Sequence, residues 1–169
     1  MNETHVLPDV LAPGLRIVFC GTAAGTESAR RRAYYAHPQN RFWRALHEAG
    51  LTPRLLAPDE YALTPAFGIG LTDIAKFASG MDRELPPGAL GRDPCAALRL
   101  KIEAHRPRIL AFTSLTAARR YLARADVRFG PQRERIGETA IWALPSPSPT
   151  AGWNWDLGPW RALAEDAAR

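Results

Sequence analysis

The sequence predicts an α/β protein in which a parallel sheet is covered by helices on both faces. Short apolar runs of strand type alternate with segments of helical apolar spacing, the order that places a crossover helix between parallel strands. Two of the runs end in Gly- or Pro-rich loops, Gly21-Thr22-Ala23-Ala24-Gly25 and Pro145-Ser146-Pro147-Ser148-Pro149-Thr150-Ala151-Gly152-Trp153. Ligands of open α/β sheets bind in the crevice at the carboxyl ends of the strands, so both loops should border one site.

The elements follow in order. Leu15–Cys20 is a continuous apolar run opened by Pro13-Gly14, as expected of a buried strand. Asn40–Ala49 places Phe42, Trp43 and Leu46 at helical spacing and stops at Gly50. Gly68–Thr72 is a second short strand, and Pro86-Pro87-Gly88 a turn. Asp93-Pro94 starts a helix with a carboxylate cap and a proline in the first turn, carrying Leu98, Leu100 and Ile102 and ending near His105. Arg108–Phe112 is a third strand, after which Ser114 caps a helix over Leu115–Arg124. Ala140–Leu144 is a fourth strand and Leu157–Ala168 a closing helix. No repeat, linker or low-complexity tract divides the chain, so residues 1–169 are expected to form a single domain.

Composition narrows the function. A hydrophobic fraction of 46% and a charged fraction of 23% are those of an ordinary globular protein. Lys and Arg total 22 against 17 acids, a net charge of +5, which fits a polyanionic partner. Most of the cations are Arg, the residue suited to phosphate forks and to stacking on bases, with clusters at Arg30-Arg31-Arg32, Arg119-Arg120 and Arg133/Arg135. Cys20 and Cys95 are isolated and show no metal-ligand spacing, so neither a zinc site nor an iron–sulfur cluster is expected. Cys20, at the end of a strand, reads as a small core residue. The first ten residues lack a signal-peptide pattern and no apolar stretch is long enough to span a bilayer. A cytoplasmic monomer without membrane contact is the expectation.

The run from Leu15 to Trp43, with Ala36-His37-Pro38-Gln39-Asn40-Arg41-Phe42-Trp43, resembles the mismatch-specific uracil-DNA glycosylases, the Mug and thymine-DNA glycosylase family. Gly68-Ile69-Gly70-Leu71-Thr72-Asp73 is similar to that family's second motif, and Leu144-Pro145-Ser146-Pro147-Ser148 to its last, the loop that enters the duplex. The resemblance runs over roughly residues 8–167. It implies a three-layer αβα sandwich with a short, mostly parallel sheet. It also implies an enzyme without metal or cofactor that flips uracil out of double-stranded DNA, at a mismatch with guanine, and hydrolyses the N-glycosidic bond. No Lys stands out as a Schiff-base nucleophile, so no strand-cleaving lyase step is expected.

Such chemistry needs a place for the extruded base and a finger to fill the gap. The resemblance implies that Thr22, Ala23, Tyr35, Asn40 and Ser146 face the base, with Tyr35 as the stacking aromatic. Pro147-Ser148-Pro149-Thr150 reads as a stiff, extended finger, since proline lowers the entropy cost of holding it. Ser148, Pro149, Thr150 and Gly152, together with His37 and the helix-start residues Ser28 and Ser114, are candidate DNA contacts. Trp153, Trp155 and Trp160 read as packing for the closing helix, with Trp153 within reach of DNA.

One departure from the family pattern is serious. Its first loop carries an Asn in a Gly-x-Asn-Pro-Gly pattern, and here Ala23 stands in that place. Ala23 can neither orient nor deprotonate water. Asp73, at the carboxyl end of the second strand and where relatives hold an Asn or a Lys, is the candidate replacement, and an ordinary ionised carboxylate would suffice. Structural roles for Asp73 as a helix cap or as partner of Lys76, and for Asp93 as a cap, stand beside that reading. A non-catalytic DNA-binding relative is the alternative. A nucleotide phosphate cradle is not supported, because the loop lacks both Gly-Lys-Ser/Thr and Gly-x-Gly-x-x-Gly.

Overall fold

A computed structural model describes residues 4–169. Its sheet has five strands in the order β2-β1-β3-β5-β4. β1 (Ile17–Ala24), β2 (Ile69–Ser79), β3 (Ile109–Phe112) and β5 (Thr139–Ala143) are mutually parallel, and β4 (Gly130–Ile136) runs antiparallel along the edge of β5. The expected α/β sandwich is therefore present.

Period-2 alternation in the central strands sorts the core into two layers. Ile17 and Phe19 of β1, Ile109 and Ala111 of β3, and Trp142 face one cluster with Phe42, Trp43, Trp160 and Leu163. Those residues belong to α2 (Phe42–Glu48) and α5 (Gly158–Ala167). Val18, Cys20, Leu110, Phe112, Ile141 and Ala143 point the other way, onto α3 (Arg92–His105) and α4 (Leu115–Leu122). Phe19 and Trp160 stack at 5.6 Å, and both are fully buried. Burial of such a side chain stabilises by about 1.5–3 kcal/mol. Cys20 is the small buried residue the sequence implied.

Several elements differ from the sequence reading. β1 runs through Ala24, so Gly21–Ala24 are strand and only Gly25 of the expected loop lies beyond it, and a 3-10 segment over Pro58–Phe67 precedes β2. The second strand continues to Ser79 and then turns through a 3-10 segment at Asp82–Glu84. α3 begins at Arg92 behind Gly91, so Asp93 lies inside the first turn, where its charge complements the helix dipole without capping it. A short helix, α1 (Thr26–Arg31), follows the first Gly-rich loop. β4 is an additional strand: its burial alternates, but its residues are polar (Gln132, Arg133, Glu134, Arg135), so only half of the usual hydrophobic pattern is present. Ser114 caps α4 as expected, its hydroxyl accepting the Ala117 amide at 3.1 Å.

Candidate active site

The last residues of β1 and the segments following β1, β3 and β5, with Asp73 from the middle of β2, line a cleft of about 680 Å³. Every candidate site residue named above except Gly152 lines it, although they come from segments more than a hundred residues apart. Thr113, the Met81–Arg83 turn and Arg41 were not singled out by the sequence. Thr113 follows β3 directly and was open to the strand-end rule, whereas the turn was hidden by the unforeseen length of β2.

Asp73 forms part of the floor. It is not at the end of its strand, since β2 runs six residues further; it reaches the cleft because its neighbour across the ladder is Gly21. A Cβ at residue 21 would lie 2.9 Å from Asp73 Oδ1, 3.4 Å from Thr113 Oγ1 and 3.5 Å from the Tyr35 hydroxyl. Only glycine leaves the carboxylate uncovered there. The Gly21 amide favours the ionised form of the Asp73 carboxyl beside it. Lys76 does not serve as its close partner: its ammonium pairs with Asp9 at 2.9 Å and donates to the Tyr34 hydroxyl at 3.1 Å.

The ionisation of Asp73 also differs from expectation. Only 5% of the residue is exposed. Burial pushes its pKa up to about 7, with Lys76 and the Gly21 amide pulling it down and Asp9 adding to the rise. Asp9 is itself held below the usual range: burial opposes its charge, but Lys76, Lys101 and Thr72 outweigh it. Asp73 thus stands at the edge of ionisation near neutrality, the condition that suits a general base.

Tyr35 forms another wall. Its ring stacks on Phe42 with centroids 3.8 Å apart, and its hydroxyl lies 3.1 Å from Thr113 Oγ1. Its backbone has φ 51°, a left-handed conformation that a tyrosine holds only where its surroundings impose it. Those surroundings are side-chain bonds at both ends of the loop. The buried Ser28 hydroxyl accepts the Ala36 amide at 3.0 Å, and Asn40 Oδ1 accepts the Phe42 amide at 2.9 Å. His37, exposed, accepts the Gln39 amide on Nδ1 at 3.1 Å. Thr22 reaches across the cleft mouth and donates to Asp82 at 2.6 Å, while Ala23 contributes no polar side-chain atom.

The Pro-rich segment is not extended throughout. Ser148 accepts the Thr150 amide and caps a 3-10 helix over Pro149–Asn154, whose first residue is a proline already set near helical φ. Ser146 Oγ accepts the Ser148 amide at 3.2 Å and fixes the approach. Trp155 and Trp160 do pack together at 5.8 Å, but Trp153 is 85% exposed and does not pack into the closing-helix cluster.

Residues 8–164 match the family model described as the uracil DNA glycosylase superfamily. The chain belongs to that superfamily. As a superfamily member it falls among glycosylases that act on DNA, hydrolases of DNA repair. A likeness to a solved structure extends over all of both chains: the solution NMR structure of a candidate uracil DNA glycosylase from Methanosarcina acetivorans, at 20% identity with a TM-score of 0.64. That protein shares the fold. In this superfamily member the cleft opens where the first and last motif loops meet, with a carboxylate on its floor and an aromatic wall beside it.

Proposed function

We propose that the protein removes uracil from duplex DNA, with the G·U mismatch as substrate, by hydrolysis of the N-glycosidic bond and with water as nucleophile. The observation that carries this is Asp73: a buried carboxylate with a pKa near 7, bared by Gly21 on the floor of the cleft of a glycosylase-superfamily member. The base is extruded from the stack into the cleft and lies against Tyr35, a contact worth about 1–3 kcal/mol. As the C1′–N1 bond breaks, the bonding electrons leave with the base and the sugar becomes cationic. Ionised Asp73 stabilises that cation and orients water toward C1′. The water oxygen bonds to C1′, its proton passes to the carboxylate, and the uracil anion is protonated on release. The products are free uracil and an abasic site with an intact strand. Asn40 and Ser146 border the base, while Ser148, Pro149, Thr150 and the exposed Trp153 form the element entering the duplex.

Ala23 favours a second reading, a DNA-binding relative with little or no catalysis, because the first loop presents no amide or carboxylate to water. Single-turnover assays on a G·U duplex, read after alkali, separate the two. Base release that Asp73→Ala slows by about 10²–10⁴-fold supports catalysis, and binding without release supports the rival.

A further inference from the structure

Arg41 lies beneath the finger and outside the cleft wall. Its backbone amide donates to Pro147 O at 2.9 Å, which ties α2 to the base of the Pro-rich loop. The guanidinium carbon sits 5.8 Å from the Trp155 ring centroid. Nη1 is enclosed and has no hydrogen-bond partner among the described residues. The aromatic face offers it attraction but no acceptor. A buried donor on a charged group left without an acceptor is costly, and it calls for a partner that a ligand can supply.

The surroundings say which ligand fits. Asn40, the preceding residue, and Pro147–Ala151 both line the cleft, and the Arg41–Pro147 bond makes them neighbours there, so Arg41 sits directly behind that stretch of the lining. Gly152 is its other neighbour: a Cβ there would lie 3.3 Å from Nη2 and 3.6 Å from Nη1. Lacking a side chain, residue 152 leaves free the space beside Nη1 and Nη2 that a Cβ would take. A planar fork of donors matches the paired free oxygens of a phosphodiester.

We propose that Arg41 binds an internucleotide phosphate at the base of the finger, next to the nucleotide held in the cleft. Engagement of the finger and capture of this phosphate are then one event, because Gly152, beside the guanidinium, is followed directly by the exposed Trp153. The proposal rests on the reading that the cleft receives DNA.

The test is equilibrium binding of the full chain to a duplex carrying a tetrahydrofuran abasic analogue opposite guanine. The linkages are replaced one at a time by neutral methylphosphonate. Wild type should lose affinity at a small number of linkages. Arg41→Met, which keeps the aliphatic stem, should be indifferent to one of them, and its plot of log affinity against log salt should be shallower by about 0.9. Arg41→Lys, which keeps the charge without the fork, should retain the slope while its penalty at that linkage shrinks severalfold; it also carries the test if the Met variant does not fold. A variant with the wild-type slope and the full wild-type methylphosphonate profile overturns the proposal and leaves Arg41 only as a support for Trp155. If wild type binds no duplex in a salt-dependent way, the DNA reading fails, and the phosphate site fails with it.

Discussion

Asp73 couples stability to chemistry. Its folded pKa of about 7 lies well above the ~3.9 of an unfolded aspartate, so between those values the native state holds a proton that the unfolded chain has released. More protons bound in the native state means that stability falls as pH rises through this window and levels off above about 7. The contribution of the protonated carboxyl is fully present below about pH 4 and is lost by about pH 7. Asp73→Asn, which removes the titration and keeps the size of the side chain, should gain stability relative to wild type as pH rises, by ~2–4 kcal/mol at pH 8. Thermal melts at pH 4 and pH 8 check this; an equal difference at both values would show that the carboxyl is not held near neutrality. The proposed mechanism runs the opposite way, since it uses the ionised form, so the rate should climb with pH to a plateau with its midpoint near 7. At Tyr35 the roles separate by substitution. Tyr35→Phe keeps the ring on Phe42 and should retain most of the activity, whereas Tyr35→Ala should weaken base handling by about 1–3 kcal/mol. Equal activity of the two in single-turnover assays would place the base elsewhere. The residue types at Tyr35, His37 and Asn40 were legible because their motif string is local. The burial of Asp73 was not, because it arises from pairing of β2 with β1 across fifty residues of chain.

The finger is the element whose form the sequence disclosed least. Its prolines suggested an extended rod, yet Pro149 starts a 3-10 turn because Ser148 caps it, a preference decided by one hydroxyl. The consequence is Trp153 at the tip with 85% exposure. Trp153→Ala should leave the melting temperature unchanged, since the ring is largely exposed. Binding to a mismatched duplex should weaken by about 1–3 kcal/mol if the indole stacks on bases. Fluorescence titration against duplex and single strand checks the change, and unaltered affinity for both would remove Trp153 from the interface. The four parallel strands were readable as apolar runs bounded by Gly and Pro. β4 was not: an edge strand with charged side chains carries no hydrophobic alternation, and α1 offers a single buried residue, Ser28, to any periodic pattern.

At the scale of the whole molecule, the two layers of core hold β1, β3 and β5 in a fixed register, so that three loops and one glycine-bared carboxylate converge on a single cleft. The motif strings foreshadowed which loops would meet. By the strand-end rule Asp73 already faced the crevice that Ala23 borders, and both residues line the cleft. The net charge of +5 supplies a long-range attraction to a polyanion. The most direct test of this account is release of free uracil from a G·U duplex at enzyme excess, wild type beside Asp73→Ala. The account predicts uracil and an alkali-labile abasic site from wild type, with release slowed by about 10²–10⁴-fold in a variant that folds and still binds. No release by wild type, or full activity in Asp73→Ala, would contradict it.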